Sequence, residues 1–266
     1  MEDKVVRNIK LYLSFFGASI KKMMEYRVDC LVGMISQIAF QIIELIFIWI
    51  IFQNTDNIAG WTFEHLLLLY GVMMLAISVT DLLFDSTYDI GKRLIRKGKF
   101  DTILLRPVHP LISVLGESET STALGYIVLS IVLIVSMLIK LQISITFSLI
   151  IKIIYFGILG GFIIGGIQTI FSITGFWTYK SNEVVWSVFQ LHKLAEYPLE
   201  IYNKFIRIII TFILPFAFAS YYPTLDYLIG DQTSLIFIVP LIVVVIWIIA
   251  IILWNWALKK YRSTGN

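Results

Sequence analysis

Three aspartates, Asp81, Asp85 and Asp89, recur every four residues at the end of an apolar run. On a helix that spacing stacks the carboxylates on one face. Oxygen ligands suit hard cations such as Mg²⁺, and intramembrane transferases use aspartate-rich helices in this way to hold a pyrophosphate. Arg93 extends the row by one more turn, and an acid four residues before a base is a favourable helix pair. The row therefore admits two readings, Mg²⁺-dependent transfer chemistry or ion pairing at the inner end of a helix. The tighter companion patterns that the transferases require are missing, so ion pairing is preferred and no metal is expected.

A second polar set lies inside an apolar segment. Gln37, Gln41 and Glu44 are spaced to form one ridge on a helix. A carboxylate at membrane depth is costly and must face protein or water. The ridge is either a hydrogen-bonding partner for another helix or a lining of a substrate path. Other chemistry is thinly represented. No G-x-x-x-x-G-K-[ST] loop is present to cradle nucleotide phosphates, and neither G-x-S-x-G nor H-E-x-x-H occurs. His65, His109 and His192 are far apart, and Cys30 is the one cysteine, which excludes an intrachain disulfide.

The elements that position these residues follow from composition. Of 266 residues, 58% are hydrophobic and 15% charged, against about 45–50% and roughly 25% in ordinary soluble domains. This is an integral membrane protein, and helices of about 20 apolar residues cross the bilayer. Six segments fit: 31–52, 66–84, 120–139, 146–172, 205–223 and 235–256. Of the 21 Lys and Arg residues, all but Lys140 and Lys152 fall on one side if both termini are cytoplasmic. That count includes Lys204 and Arg207 between spans four and five. Asp56, Glu64, Asp226 and Asp231 mark the outer loops.

Residues 5–24 carry Val5, Ile9, Tyr12, Phe16, Ile20 and Met23 on one stripe, with Arg7, Lys10, Ser14 and Lys21 away from it. That pattern predicts a helix lying in the membrane interface rather than a span or a cleavable signal peptide. Gly157, Gly161 and Gly165 repeat at four-residue spacing, which permits close helix approach within the bundle or between subunits. The fifth span is ambiguous. Residues 177–200 are helical in pattern but polar, whereas 205–223 are apolar but interrupted by Pro215. Hydropathy favours 205–223. A polar helix turned to the bundle interior, followed by a re-entrant pair, is the alternative.

The connector between spans two and three, KGKFDTILLRPVHP over 97–110, is short and basic. Phe100, Ile103 and Leu104 share one face of a helical turn, framed by Lys97, Lys99 and Arg106. Pro107 and Pro110 keep that turn from running into the next span. An apolar patch framed by charge suits a docking surface for another protein; a loop that binds lipid headgroups is the competing reading.

Three stretches resemble the ABC-2-type permease subunits of ATP-binding-cassette transporters: GKFDTILLRPVHPL (98–111), GFW (175–177) and YPLEIYNKFIRIIITFILPFAFASYYP (197–223). The likeness runs over most of the chain and is nearest to a branch whose unlike permeases are encoded in pairs beside one ATPase. The resemblance implies an all-α membrane protein with six transmembrane helices, an N-terminal interfacial elbow helix and the ABC-2 exporter fold. The whole chain, 1–266, would be one permease domain, with a cytoplasmic coupling connector at 91–110. By the same resemblance Phe100, Asp101, Ile103, Leu104, Leu105, Arg106 and Pro107 would form the coupling helix that docks on the ATPase. It also makes 178–196 the fifth span and 197–223 a re-entrant pair.

The expected activity is ATP-driven export of an amphiphile, peptide or drug-like molecule. ATP and Mg²⁺ would sit on a separate cytoplasmic ATPase, with no cofactor on this chain and no activity as an enzyme of its own. The other expected partners are a second permease, unlike or identical, and the bilayer of a bacterial plasma membrane, with no nucleic acid. Two alternatives are a Mg²⁺-dependent intramembrane transferase and a non-transporting anchor or immunity component.

Overall fold

The computed structural model describes residues 24–116, 121–178, 181–230 and 233–261, together with 11, 12, 14, 17, 18 and 21. Most of the stripe predicted over 5–24 lies outside the described residues. The described chain is helical throughout, with a single isolated bridge between Ile58 and Trp61.

Among the described residues, five helices are long and apolar enough to cross a bilayer. They are α1 (Arg27–Phe52), α2 (Phe63–Phe84), α5 (Ser121–Lys140), α6 (Phe147–Ser172) and α10 (Leu235–Lys260). Between α2 and α5 lie two short helices, α3 (Lys99–Leu104) and α4 (Pro110–Leu115). Two of the membrane helices start on side-chain caps. Thr62 and His65 form a reciprocal capping box on α2, and Thr146 Oγ accepts from the Leu149 N–H on α6. His65 therefore has a structural task. Pro110 occupies the first position of α4, where no N–H is needed.

The bundle has two distinguishable ends. One gathers Lys92, Arg93, Arg96, Lys97 and Lys99 after α2, and Lys259 and Lys260 at the close of α10; we call it the basic end. At the opposite end α1 turns into α2, where the Phe52 and Phe63 rings meet at 5.5 Å. The centre is α2, which packs against both α5 and α6, while α10 closes on α6 and α1 lies along α5.

Glycine sets the closeness of these contacts. A Cβ at Gly157, Gly161 or Gly165 of α6 would strike Leu75, Val79 or Phe84 of α2. Gly160 faces Ala76 and Ala219, and Gly166 faces Ile246 and Trp247 of α10. The row thus seats α6 on α2, inside the bundle.

Residues 177–229 run differently from the course hydropathy favours. Ser181 opens α7 (Ser181–Gln190) at the basic end, where its hydroxyl lies against Gly91 and Gly175. A tighter turn, Leu191–Glu196, continues it. By Ala195 the chain has reached the Ser220 hydroxyl, which donates to the Ala195 carbonyl at 2.6 Å. The neighbouring Tyr221 ring stacks 5.6 Å from Trp61, at the opposite end. Ten residues rising about 1.5 Å each and six rising about 2 Å each cover roughly 27 Å, close to the hydrocarbon thickness of about 30 Å.

The apolar stretch that follows does not go straight through. Lys204–Ile213 and Phe216–Ile229 meet at a 70° bend, where Pro215 can supply no helical N–H. Helix α8 (Lys204–Ile208) starts at the opposite end, because Arg207 binds the carbonyls of Glu200 and Tyr202, and Glu200 holds Tyr221. Helix α9 (Tyr221–Ile229) finishes there, with Asp226 paired to Lys152 at 2.7 Å. Lys204 and Arg207 consequently lie away from the basic end, which corrects the charge count that placed them with Lys97. The count failed because it followed hydropathy, which took 205–223 as one straight span.

Candidate functional site

The connector at the basic end is built on a two-sided turn. Gly98 takes a left-handed φ of +66° and its N–H closes on the Ile95 carbonyl at 3.0 Å, so α3 leaves at a new angle. On the inner side Phe100 and Ile103 are buried, clustered with Leu94, Ile173, Trp254 and Ala257. The Phe100 ring meets Phe176 at 5.2 Å and Tyr261 at 5.1 Å, edge to face. The Tyr261 hydroxyl donates to Asp101 at 3.0 Å. Burial, with that hydrogen bond, pushes the Tyr261 phenol up to about 12, so it stays a donor at neutral pH. His109 adds a 3.0 Å contact to Asn255 of α10.

The outer side differs from the sequence expectation. Phe100 and Ile103 do not share a surface face with Leu104. They point into the chain's own core, and the exposed apolar groups are Leu104 and, 86% exposed, Leu105. A three-residue spacing fixes which side chains align, not which side is solvent. Lys97, Lys99 and Pro107 are exposed around them, and Arg106 is partly buried.

The polar ridge of α1 meets partners from two other elements. The Tyr70 hydroxyl of α2 lies 2.8 Å from Glu44 Oε2 and within reach of the Gln41 amide. The Gln41 atom facing it is Oε1, so one phenolic proton serves two acceptors, the amide oxygen and the carboxylate. Lys193, from the turn after α7, pairs with Glu44 Oε1. These two side chains remain 44% and 26% exposed respectively, at a depth where lipid would penalise charge. Gln37 sits against Gly125 of α5.

Beside this pair is a more secluded one. His192 Nε2 lies 3.2 Å from Glu196 Oε1, and both side chains are buried. Its Nδ1 faces the Phe189 carbonyl, which can only accept. Nδ1 is therefore the donor in that contact. Sequence reading missed Tyr70, Lys193, His192 and Glu196 as one group. A basic residue within the helically patterned stretch 177–200 was the available signal.

The aspartate row does not survive as a face. After Phe84 the helix tightens over Asp85–Thr87 and widens over Ile90–Ile95, which throws the four-residue register off. Asp81 accepts from the Thr122 hydroxyl at 3.4 Å, Asp89 from the Asn182 amide at 2.6 Å, and the Arg93 guanidinium reaches the Ser86 carbonyl. The expected Asp89–Arg93 side-chain pair is replaced by these contacts. Among the described residues no group of three or more His, Cys, Asp or Glu side chains could hold a metal ion.

Two sites thus stand out, an anchored turn at the basic end and a charged cluster within the bundle, joined through α2 and α7. Comparison with curated proteins and with solved structures gives no match. Residues 38–265 match the family described as ABC-2 family transporter protein. That span takes in both sites apart from Gln37, and every membrane helix except the start of α1, and the chain belongs to the ABC-2 transporter family.

Proposed function

We propose that this permease subunit of an ATP-binding-cassette transporter works as an exporter, driven through the turn at 97–107 by a cytoplasmic ATPase. The observation that carries the reading is the turn's two-sidedness. Leu104 and Leu105 face outward with Lys97, Lys99 and Pro107, while Phe100 and Ile103 are locked against Trp254, Ile173 and Leu94. A push on the outer face is therefore delivered to the ends of α2, α6 and α10 together. The basic end is cytoplasmic by its Lys and Arg content. ATP and Mg²⁺ belong to the ATPase.

In this reading Ser181–Glu196 is the fifth membrane crossing and Lys204–Ile229 a re-entrant pair on the outer side. Gln37, Gln41 and Glu44, with Lys193, line the substrate path. Their charge is half open to a face this chain leaves uncovered, which suits a second permease, unlike or identical, across the path. Amphiphilic, peptide or drug-like substrates fit such a wall. The test is co-purification of the ATPase with Leu104→Asp and Leu105→Asp, together with substrate-stimulated ATP hydrolysis. A charge buried in the contact is strongly unfavourable, so both variants lose the partner or its coupling while still inserting. Normal levels of both would leave the turn as a headgroup-binding loop.

A further inference from the structure

Lys204 and Arg207 are cations at the end of the bundle where the positive-inside pattern predicts few. Lys152 at that end is neutralised by Asp226 at 2.7 Å. Arg207 spends two donors on the carbonyls of Glu200 and Tyr202, at 2.7 and 2.9 Å, and Lys204 is exposed. Both line one cavity of about 310 Å³, whose wall also includes Glu200, Tyr221 and Tyr222. Glu200 is engaged by the Tyr221 hydroxyl. Two basic groups against one carboxylate leave the mouth with an excess of positive charge.

A second cavity, about 570 Å³, adjoins the first across Thr211 and Phe212, which line both. Its other walls are apolar, from α6 (Ile167, Ile170) and α10 (Ile242, Val245). It lies part-way along those helices, at hydrocarbon depth, and side chains at its rim such as Phe212 and Leu241 are exposed. A basic mouth at the membrane surface and an apolar trough below it match one kind of molecule in size and polarity.

We propose that the bent pair Lys204–Ile229 holds a single anionic phospholipid drawn from the leaflet on its side, phosphate at Lys204 and Arg207, one acyl chain in the trough. The site is separate from the polar cluster and does not depend on ATPase coupling. Headgroup charge gives preference for acidic over zwitterionic lipid, and the trough gives retention. The Lys204 ammonium is the selective group, because Arg207 also secures the backbone at Glu200 and Tyr202.

Native mass spectrometry of the purified protein, exchanged into mixed micelles of phosphatidylglycerol and phosphatidylcholine with identical chains, reads both properties. Wild type retains phosphatidylglycerol preferentially. Lys204→Gln lowers that preference about fivefold, the equivalent of about 1 kcal/mol for one basic side chain near a membrane surface. Val245→Trp, at a position already exposed to lipid, fills the trough and loses both lipids. Millimolar inorganic phosphate displaces neither lipid, since the acyl chain supplies the retention. Equal retention of the two lipids by wild type, an unchanged preference in Lys204→Gln, or displacement by phosphate alone overturns the proposal. Retained lipid in a monodisperse Val245→Trp protein does so as well.

Discussion

Helices α1 and α2 are equally hydropathic, yet 72% of the apolar window of α2 is buried inside the protein and only 11% of that of α1. In water such a difference would be unthinkable for two apolar helices. In a bilayer the lipid is as apolar as leucine, so hydropathy pays for insertion and is silent about neighbours. What decides is surface shape and polarity. Helix α2 meets the glycine row of α6, where Leu75, Val79 and Phe84 enter spaces that no Cβ could share. Helix α1 is tethered at fewer points, by Gly125 of α5 and by the Gln41–Tyr70 and Glu44–Lys193 contacts. One helix is the post of the bundle. The other is a rim element held by polar links, with most of its apolar surface left uncovered by this chain.

The comparison breaks most visibly at Gly165. Gly165→Leu drives a side chain into the Phe84 ring, and overpacking of this kind costs roughly 3 kcal/mol. The expected result is a large fall in the thermal midpoint of the detergent-purified protein; an unchanged midpoint would mean that α2 and α6 are not so closely seated. The polar tether should show a smaller effect. A double-mutant cycle with Glu44→Gln and Lys193→Gln should give a coupling of about 1 kcal/mol, in the range of interhelical polar contacts in membranes. Glu44→Gln should also alter transport while leaving ATPase assembly intact, and wild-type transport would return Glu44 to a purely structural part. The smallest effect belongs to the outward face of α1. Ile43→Ala, at a site 64% exposed, should shift stability by no more than about 0.5 kcal/mol. A larger loss would place Ile43 in an interface that persists in detergent.

Much of the bundle is legible in the sequence, because five segments need only be apolar and long. The course of residues 181–196 is not, for a physical reason. Asn182, Lys193 and Glu196 look too polar for lipid, but Asp89, Glu44 and His192 answer them inside the protein. Conversely, 205–223 is apolar because it sits at membrane depth, and Pro215 signals that it bends there. The connector at 97–110 could be singled out by its prolines and charge. Which of its apolar residues face outward could not, since Phe100 and Ile103 are claimed by Trp254 and Tyr261 some 150 residues later, and about that distance in sequence periodicity says nothing. The aspartate row misled because spacing assumes one helix type throughout, and the helix changes pitch between Asp85 and Ile95.

For an ATPase to drive this protein, the turn at 97–107 must face the cytoplasm while the polar segment 181–196 carries the chain across. Labelling of intact cells with an impermeant thiol reagent, in a Cys30→Ser background, tests both at once. Single cysteines replacing Asn57, Asn203 and Lys97 are compared before and after permeabilisation. Asn57→Cys and Asn203→Cys should label from outside, and Lys97→Cys only once the membrane is opened. Labelling of Lys97→Cys in intact cells would put the turn beyond the reach of any cytoplasmic ATPase and contradict the central claim, and protection of Asn203→Cys would return the fifth crossing to residues 205–223.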